Sequence, residues 1–189
     1  MTAAEKGKSP FEEYLEAPEG VRAEIVAGVY HASPRPAGRH VVASGTIHGD
    51  VSFPFHRGRG GPGGWWIVNE PEVRLGDDIF VPDVAGWRRE RLPVYPPGPW
   101  CDVTPDWVCE VVSPSTARLD RTAKADAYAR HGVGHLWFVD PVVRLLEAFS
   151  LANGAWVRLG AWQGDAIAEV PPFEVVPMNL ADWWLPGAE

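Results

Sequence analysis

Residues Trp107–Thr116, Trp-Val-Cys-Glu-Val-Val-Ser-Pro-Ser-Thr, run into Ala117–Tyr128, Ala-Arg-Leu-Asp-Arg-Thr-Ala-Lys-Ala-Asp-Ala-Tyr. The stretch reads as a buried strand, a turn and the start of a helix. The strand covers Asp106–Val112 and the turn Ser113–Leu119. The helix covers Asp120–His131, with Asp120 as its cap and Gly132 just past its end. Glu110 interrupts the apolar run between Cys109 and Val111. A carboxylate there is costly unless a cation, a metal ion or a hydrogen-bond network compensates it.

Outward from this stretch the chain alternates short strands with a few helices. Residues 1–8 are expected to be disordered and 9–189 to form one domain. Ser9-Pro10-Phe11-Glu12 is a capping box with proline at the first helical position, so a short helix follows over Pro10–Glu16. Val21–Val26 and Val29–Ser33 read as a hairpin turned at Ala27-Gly28. His40–Phe55 has a loose helical apolar face, with Pro54 limiting its end. Arg57–Gly64 is Gly-rich but lacks a following Gly-Lys-Ser/Thr, so it reads as a surface loop rather than a phosphate-binding P-loop. Trp65–Leu75, Ile79–Trp87 and His135–Asp140 read as strands. Arg144–Ser150 and Trp156–Ala161 form a C-terminal hairpin, and Asp165–Val170 adds a strand. In the tail after Pro171, Trp183 and Trp184 dock on the body. The pattern predicts a mixed α/β domain with a central sheet flanked by helices.

Composition narrows the function classes. Seventeen basic against 25 acidic residues give a formal net charge of −8, which excludes a generic polyanion binder. Any nucleic-acid contact must come from a local basic surface or from bound metal. Two cysteines lack metal-ligand spacing, and Cys109 reads as a small buried hydrophobe. No secretory leader and no apolar run of membrane-spanning length is visible, so a soluble cytoplasmic protein is expected. Ten tryptophans, with the Trp183-Trp184 pair, motivate the expectation of a homodimer.

Asp83 and Glu110 lie on separate strands, each next to valines. Two carboxylates brought together repel each other, and a divalent cation between them relieves this. Oxygen ligands favour Mg²⁺ or Mn²⁺. Alternatively, Asp83 caps a strand end and Glu110 pairs with a buried Arg or Lys. Lys124 stands one helical turn after Asp120, with Tyr128 one turn further on the same face. Its ammonium would hold a metal-bound hydroxide or a phosphate oxygen, or else be an ordinary surface lysine. Asp120, Asp126 and Arg130 are assigned to the helix surface.

Val-Pro-Asp-Val at 81–84, Glu-Val-Val-Ser-Pro-Ser-Thr at 110–116, the Asp120…Lys124…Tyr128 spacing and Gly132-Val133…Trp137-Phe138-Val139-Asp140-Pro141 together resemble the bacterial Uma-type restriction endonucleases. These belong to the restriction-endonuclease-like PD-(D/E)XK nuclease superfamily. The resemblance covers roughly Phe11 to Trp184 and is most specific from Asp106 to Pro141. It implies a sheet-centred fold and metal-dependent hydrolysis of DNA phosphodiesters. Asp83 and Glu110 would be the ligands of one or two Mg²⁺ (or Mn²⁺) ions, together with the Val111 carbonyl, and Glu24 an additional carboxylate orienting the metal or its water. The superfamily lysine stands two residues after the second acid, where this chain has Val112. Either Lys124 reaches in from the helix to replace it, or the site is catalytically weak. Arg35, Arg39, His40, Arg57 and Arg59 are the candidate contacts to the DNA backbone, with Arg88, Arg89 and Arg91 as a second basic cluster. The competing reading is a nuclease-fold module that binds nucleic acid or a protein partner without cutting.

Overall fold

The computed structural model describes residues 7–36 and 38–187. The disorder expected over residues 1–8 therefore falls outside the described residues, apart from Gly7 and Lys8. Helix α1 (Pro10–Leu15) starts at the expected capping box, with Ser9 and Glu12 capping each other's backbone N–H. Strands β1 (Val21–Val26) and β2 (Val29–Pro34) form the N-terminal hairpin. Its turn residues Ala27 and Gly28 both take positive φ (54° and 74°), as a two-residue hairpin turn with the twist of the strands requires.

The stretch Ile79–Trp87, expected as one strand, is two. Strand β5 (Asp78–Phe80) pairs with β1 and with β4 (Val73–Leu75). Strand β6 (Val84–Arg88) pairs with β3 (Trp65–Asn69) and with β7 (Trp107–Val111). Between them, Val81-Pro82-Asp83 carries the chain from one sheet to another. Pro82 has no N–H to give a ladder and biases Val81 to an extended backbone, so pairing stops there. Trp65–Leu75 divides in the same way into β3 and β4, at Glu70-Pro71, where Glu70 takes a φ of 43°.

The larger sheet has six strands, in the order β10 (Ala155–Gln163), β9 (Leu145–Ala152), β8 (His135–Asp140), β7, β6 and β3, the smaller four in the order β2-β1-β5-β4. Only β7 and β8 (His135–Asp140) run parallel in the larger sheet, and a parallel neighbour needs a crossover. The crossover is helical: α3 (Ala117–Leu119), a π-turn (Asp120–Lys124) and α4 (Ala125–Arg130). The C-terminal hairpin is β9 (Leu145–Ala152) and β10 (Ala155–Gln163), turned at Asn153-Gly154. The strand expected over Asp165–Val170 shrinks to β11 (Ile167–Ala168), paired with β12 (Met178–Asn179). The architecture is the expected mixed α/β fold with a central sheet.

Two features of the helices differ from expectation. Helix α2 (Arg39–Val51) and the turn after it span the expected His40–Phe55, but that last turn, Ser52–His56, is a π-turn, closed by the Arg57 N–H on the Ser52 carbonyl at 3.0 Å. The crossover helix begins three residues before Asp120, so Asp120 is not its exposed cap but is buried (4% exposed). The π-turn widens the helix there, and both ends of it, Asp120 and Lys124, are buried. Asp126 and Arg130 stay on the surface, as expected.

Strand alternation divides the core. Trp107, Cys109 and Val111 face Ala43, Ile47 and Val51 of α2, Phe55 of the π-turn after it, and the C-terminal Phe173, Leu180 and Trp183. The opposite face of β7 packs Val108 and Val112 against Ala125, Ala127 and Tyr128 of α4 and against Leu75 and Phe80 of the smaller sheet. Glu110 belongs to this second face. Trp183 is fully buried and donates its indole N–H to Asp50 (2.8 Å), so the tail docks as expected. Trp183 and Trp184, which motivated a homodimer, are thus satisfied inside their own chain. Both cysteines are free and buried. Among the described residues no helix is long and apolar enough to cross a membrane.

Candidate active site

The site forms where the smaller sheet, the larger sheet and the crossover helix meet. β1 contributes Arg22 and Glu24, two residues apart and therefore on one face. Both grip the backbone of Val81. The Val81 N–H donates to Glu24 Oε1 at 2.8 Å, and Arg22 donates to the Val81 carbonyl. The segment carrying Asp83 is thereby pinned on both sides.

Asp83 is 1% exposed. Its Oδ1 meets Arg22 Nη1 and His40 Nε2, each at 2.9 Å, and its Oδ2 accepts the Val111 N–H at 2.7 Å. Burial opposes ionisation, but Arg22, with His40 and Lys124, outweighs it and holds the carboxyl below its usual range. Val111, expected to offer its carbonyl, touches Asp83 through its N–H.

Glu110 and Lys124 are each 1% exposed as well. Lys124 Nζ lies 2.7 Å from Glu110 Oε1, 2.9 Å from Glu24 Oε1 and 3.6 Å from Asp120 Oδ1. The Tyr128 hydroxyl donates to Glu110 Oε1 at 2.6 Å. Burial pushes the Glu110 carboxyl up to about 8; Lys124 pulls it down, while Asp120 and Asp83 push it further up. Burial raises Asp120 also, against the pull of Lys124. Lys124 itself is buried, yet Glu110, Glu24 and Asp120 together raise its pKa, so it stays an ammonium.

The structure thus brings Glu24, Asp83, Glu110, Lys124 and His40 together. Arg35 lies beside them, lining a cavity with Arg22 and His40. It does not bring Arg57 and Arg59 there: they follow the π-turn at the far end of α2, roughly 25 Å along the helix from His40. Arg57 stacks on Phe53, and Arg59 lines a different cavity. Arg39 opens α2 next to His40. In the second basic cluster Arg88 and Arg89 cover Trp65 and Trp66, and Arg91 pairs with Asp106. Sequence reasoning missed Arg22. The signal was there: a charge two residues before Glu24 on a strand whose other members are Val, Ala and Ile. Tyr128 was noticed for its spacing, not for its bond to Glu110.

Four carboxylates (Glu24, Asp83, Glu110, Asp120) face two permanent cations (Arg22, Lys124), a formal surplus of two negative charges when all are ionised. Among the described residues no group of three or more His, Cys, Asp and Glu side chains forms a ready-made metal cage. Mg²⁺ does not need one: it is held by one or two carboxylates and keeps waters or phosphate oxygens as its other ligands. The donor set and the charge surplus fit such an ion.

A family model described as "Putative restriction endonuclease" and named Uma2 matches residues 11–181. A crystal structure described as a putative nuclease belonging to DUF820, from Anabaena variabilis ATCC 29413, matches with a TM-score of 0.72 and 20% identity. The match covers 94% of this chain and 98% of that one, and it shows a shared fold. No curated protein matches the chain in sequence.

Proposed function

The chain belongs to the Uma2 family, and from that premise we propose that it is a Mg²⁺- or Mn²⁺-dependent endonuclease hydrolysing phosphodiester bonds of DNA. The observation that carries the reading is the buried excess of carboxylate at the junction of the two sheets, with one lysine among it. Asp83 and Glu110 would hold the ion, beside Val111. When bound, it supplies neutralisation of phosphoryl charge and a water of lowered pKa. Arg22 and His40 keep Asp83 ionised and fixed. Lys124 is held as an ammonium, so it acts as a hydrogen-bond donor that steadies the attacking water or the growing phosphoryl charge, not as a base. Glu24 orients Lys124, and Tyr128 orients Glu110. Val112, at the position of the superfamily lysine, is packed in the core, which leaves the cationic role to Lys124.

A second reading, a nuclease-fold module that binds nucleic acid or a protein partner without cutting, draws on the near-complete burial of Asp83 and Glu110. Calorimetry separates the two. Mn²⁺ should bind the wild type and not Asp83→Asn/Glu110→Gln, and Lys124→Ala should lose at least a hundredfold in plasmid nicking. Absence of binding, with and without a short duplex, moves the assignment to the second reading. Nicking unchanged in Lys124→Ala removes Lys124 from the chemistry.

A further inference from the structure

The turn Ser113-Pro114-Ser115-Thr116 leaves β7 three residues after Glu110, and the mechanism above does not use it. Its hydroxyls are gathered: Ser113 Oγ lies 3.0 Å from both Ser115 Oγ and Thr116 Oγ1. Two backbone bonds of 3.3 Å, Ser113 N–H to Thr116 Oγ1 and Thr116 N–H to Ser113 Oγ, hold the turn closed. This turn is one wall of a cavity of about 150 Å³, well below the ~300–1,000 Å³ of a site for a drug-sized ligand. The other walls carry Arg22, Arg35 and His40.

The lining is selective in charge. Among the described residues no Asp or Glu borders the cavity, in a chain of net charge −8. A neighbouring cavity that shares Arg22 and Arg35 is bordered by Glu70 and Glu72, so an acid-free lining is not general on this surface. Guanidinium groups donate only, and the Ser113 and Ser115 hydroxyl protons rotate to meet an acceptor, while the Thr116 hydroxyl is bonded to Asp120 behind it. Such donors around a small space suit a tetrahedral oxyanion. The Arg22 side chain is 11% exposed, and among the described residues its Nε has no partner. Arg22 and His40 both bond Asp83 Oδ1, so an anion in the cavity is separated from Asp83 by one layer of side chains.

We propose that this cavity seats one backbone phosphate of the DNA strand, next to the phosphodiester that Asp83 and Glu110 would face. The proposal rests on the nuclease reading. It assigns Ser113, Ser115, Thr116 and Arg35 to strand positioning, and gives Arg22 and His40, which also hold Asp83, a second role facing the phosphate.

The test has two arms, both on the full chain without metal. In the first, inorganic phosphate is titrated and followed by the amide resonances of Ser113, Ser115 and Thr116 and the ring of His40. Saturable shifts confined to these groups are expected, with affinity at least tenfold weaker in Arg35→Ala, an exposed residue, and in Ser113→Ala/Thr116→Val. In the second, a short duplex is bound at several salt concentrations. Arg35→Ala should weaken binding and lower the salt slope by about one, as loss of one phosphate contact does. Shifts absent from the turn, or scattered over the surface, overturn the proposal. Saturable phosphate with an unchanged duplex slope assigns the cavity to free phosphate and overturns the strand assignment. Both arms positive in a protein that never cuts DNA keeps the cavity and removes the nuclease reading. Cutting with neither arm positive does the reverse.

Discussion

Replacing Lys124 with methionine keeps an unbranched side chain, one heavy atom shorter, and removes its charge. The ammonium is 1% exposed and faces Glu110 at 2.7 Å, Glu24 at 2.9 Å and Asp120 at 3.6 Å. At an effective dielectric of about 20, each contact is worth roughly 5–6 kcal/mol of attraction. Most of that is offset by the desolvation of the ammonium and by protonation of Glu110, whose carboxyl burial already pushes up to about 8. Breaking a buried pair from one side leaves a net loss of about 3–5 kcal/mol. For a chain of this size that lowers Tm by roughly 6–20 °C. The assay is urea unfolding followed by tryptophan fluorescence, near neutral pH with chelator present. Adding Glu110→Gln should recover part of the loss, because the amide carries no charge to strand. The double variant should therefore be about 1–3 kcal/mol more stable than the sum of the single effects. A loss below about 1 kcal/mol, or strict additivity, refutes the view that Lys124 holds the carboxylates together.

Three further outcomes follow from the same structure. Glu110 has a folded pKa raised from 4.5 to about 8, so between those values the folded chain binds more protons than the unfolded one. Stability without metal should fall as pH rises through that window, and Glu110→Gln should flatten the profile; a rise in wild-type stability across it would contradict the assignment. At Gly86 an added Cβ would lie 3.0 Å from Ile67, 3.1 Å from Trp107 and 3.3 Å from Trp65, so Gly86→Ala should cost about 1–3 kcal/mol in denaturant unfolding. Trp183→Phe removes the indole N–H that meets the partly buried Asp50, whose carboxyl burial already pushes up. Unfolding should show a loss of about 1–3 kcal/mol, smaller when Asp50→Asn is also present.

The central strand, the crossover helix and both hairpins were legible because each carries its own local signal: an apolar run, a helical spacing, an Asn-Gly or Ala-Gly turn. Glu110 was legible as a misfit. What escaped was the handover of the chain from sheet to sheet. Pro82 looks like an interruption within one strand, whereas the residues on either side pair with different strands, β5 with β4 and β1 and β6 with β3 and β7. Asp120 was misplaced for a local reason that leaves no mark in composition, a widened turn in an otherwise regular helix. Arg22 was overlooked because a lone arginine on a strand is common. Its significance lies in the Val81 carbonyl and the Asp83 carboxylate it reaches, and both are 59 or more residues away.

The π-turn over Asp120–Lys124 gives chain length a meaning that composition does not. Deleting one residue there, Arg121 for instance, would let the run from Ala117 to Arg130 close as a plain α-helix and would swing one end about 100° against the other. The hydroxyl turn at one end and Tyr128 at the other could then no longer both face β7. A relative could keep every charged residue of the site and still lose it through a single deletion between Glu110 and Tyr128. A comparison that scores substitutions alone would miss this, because the intervals between the residues are also constrained.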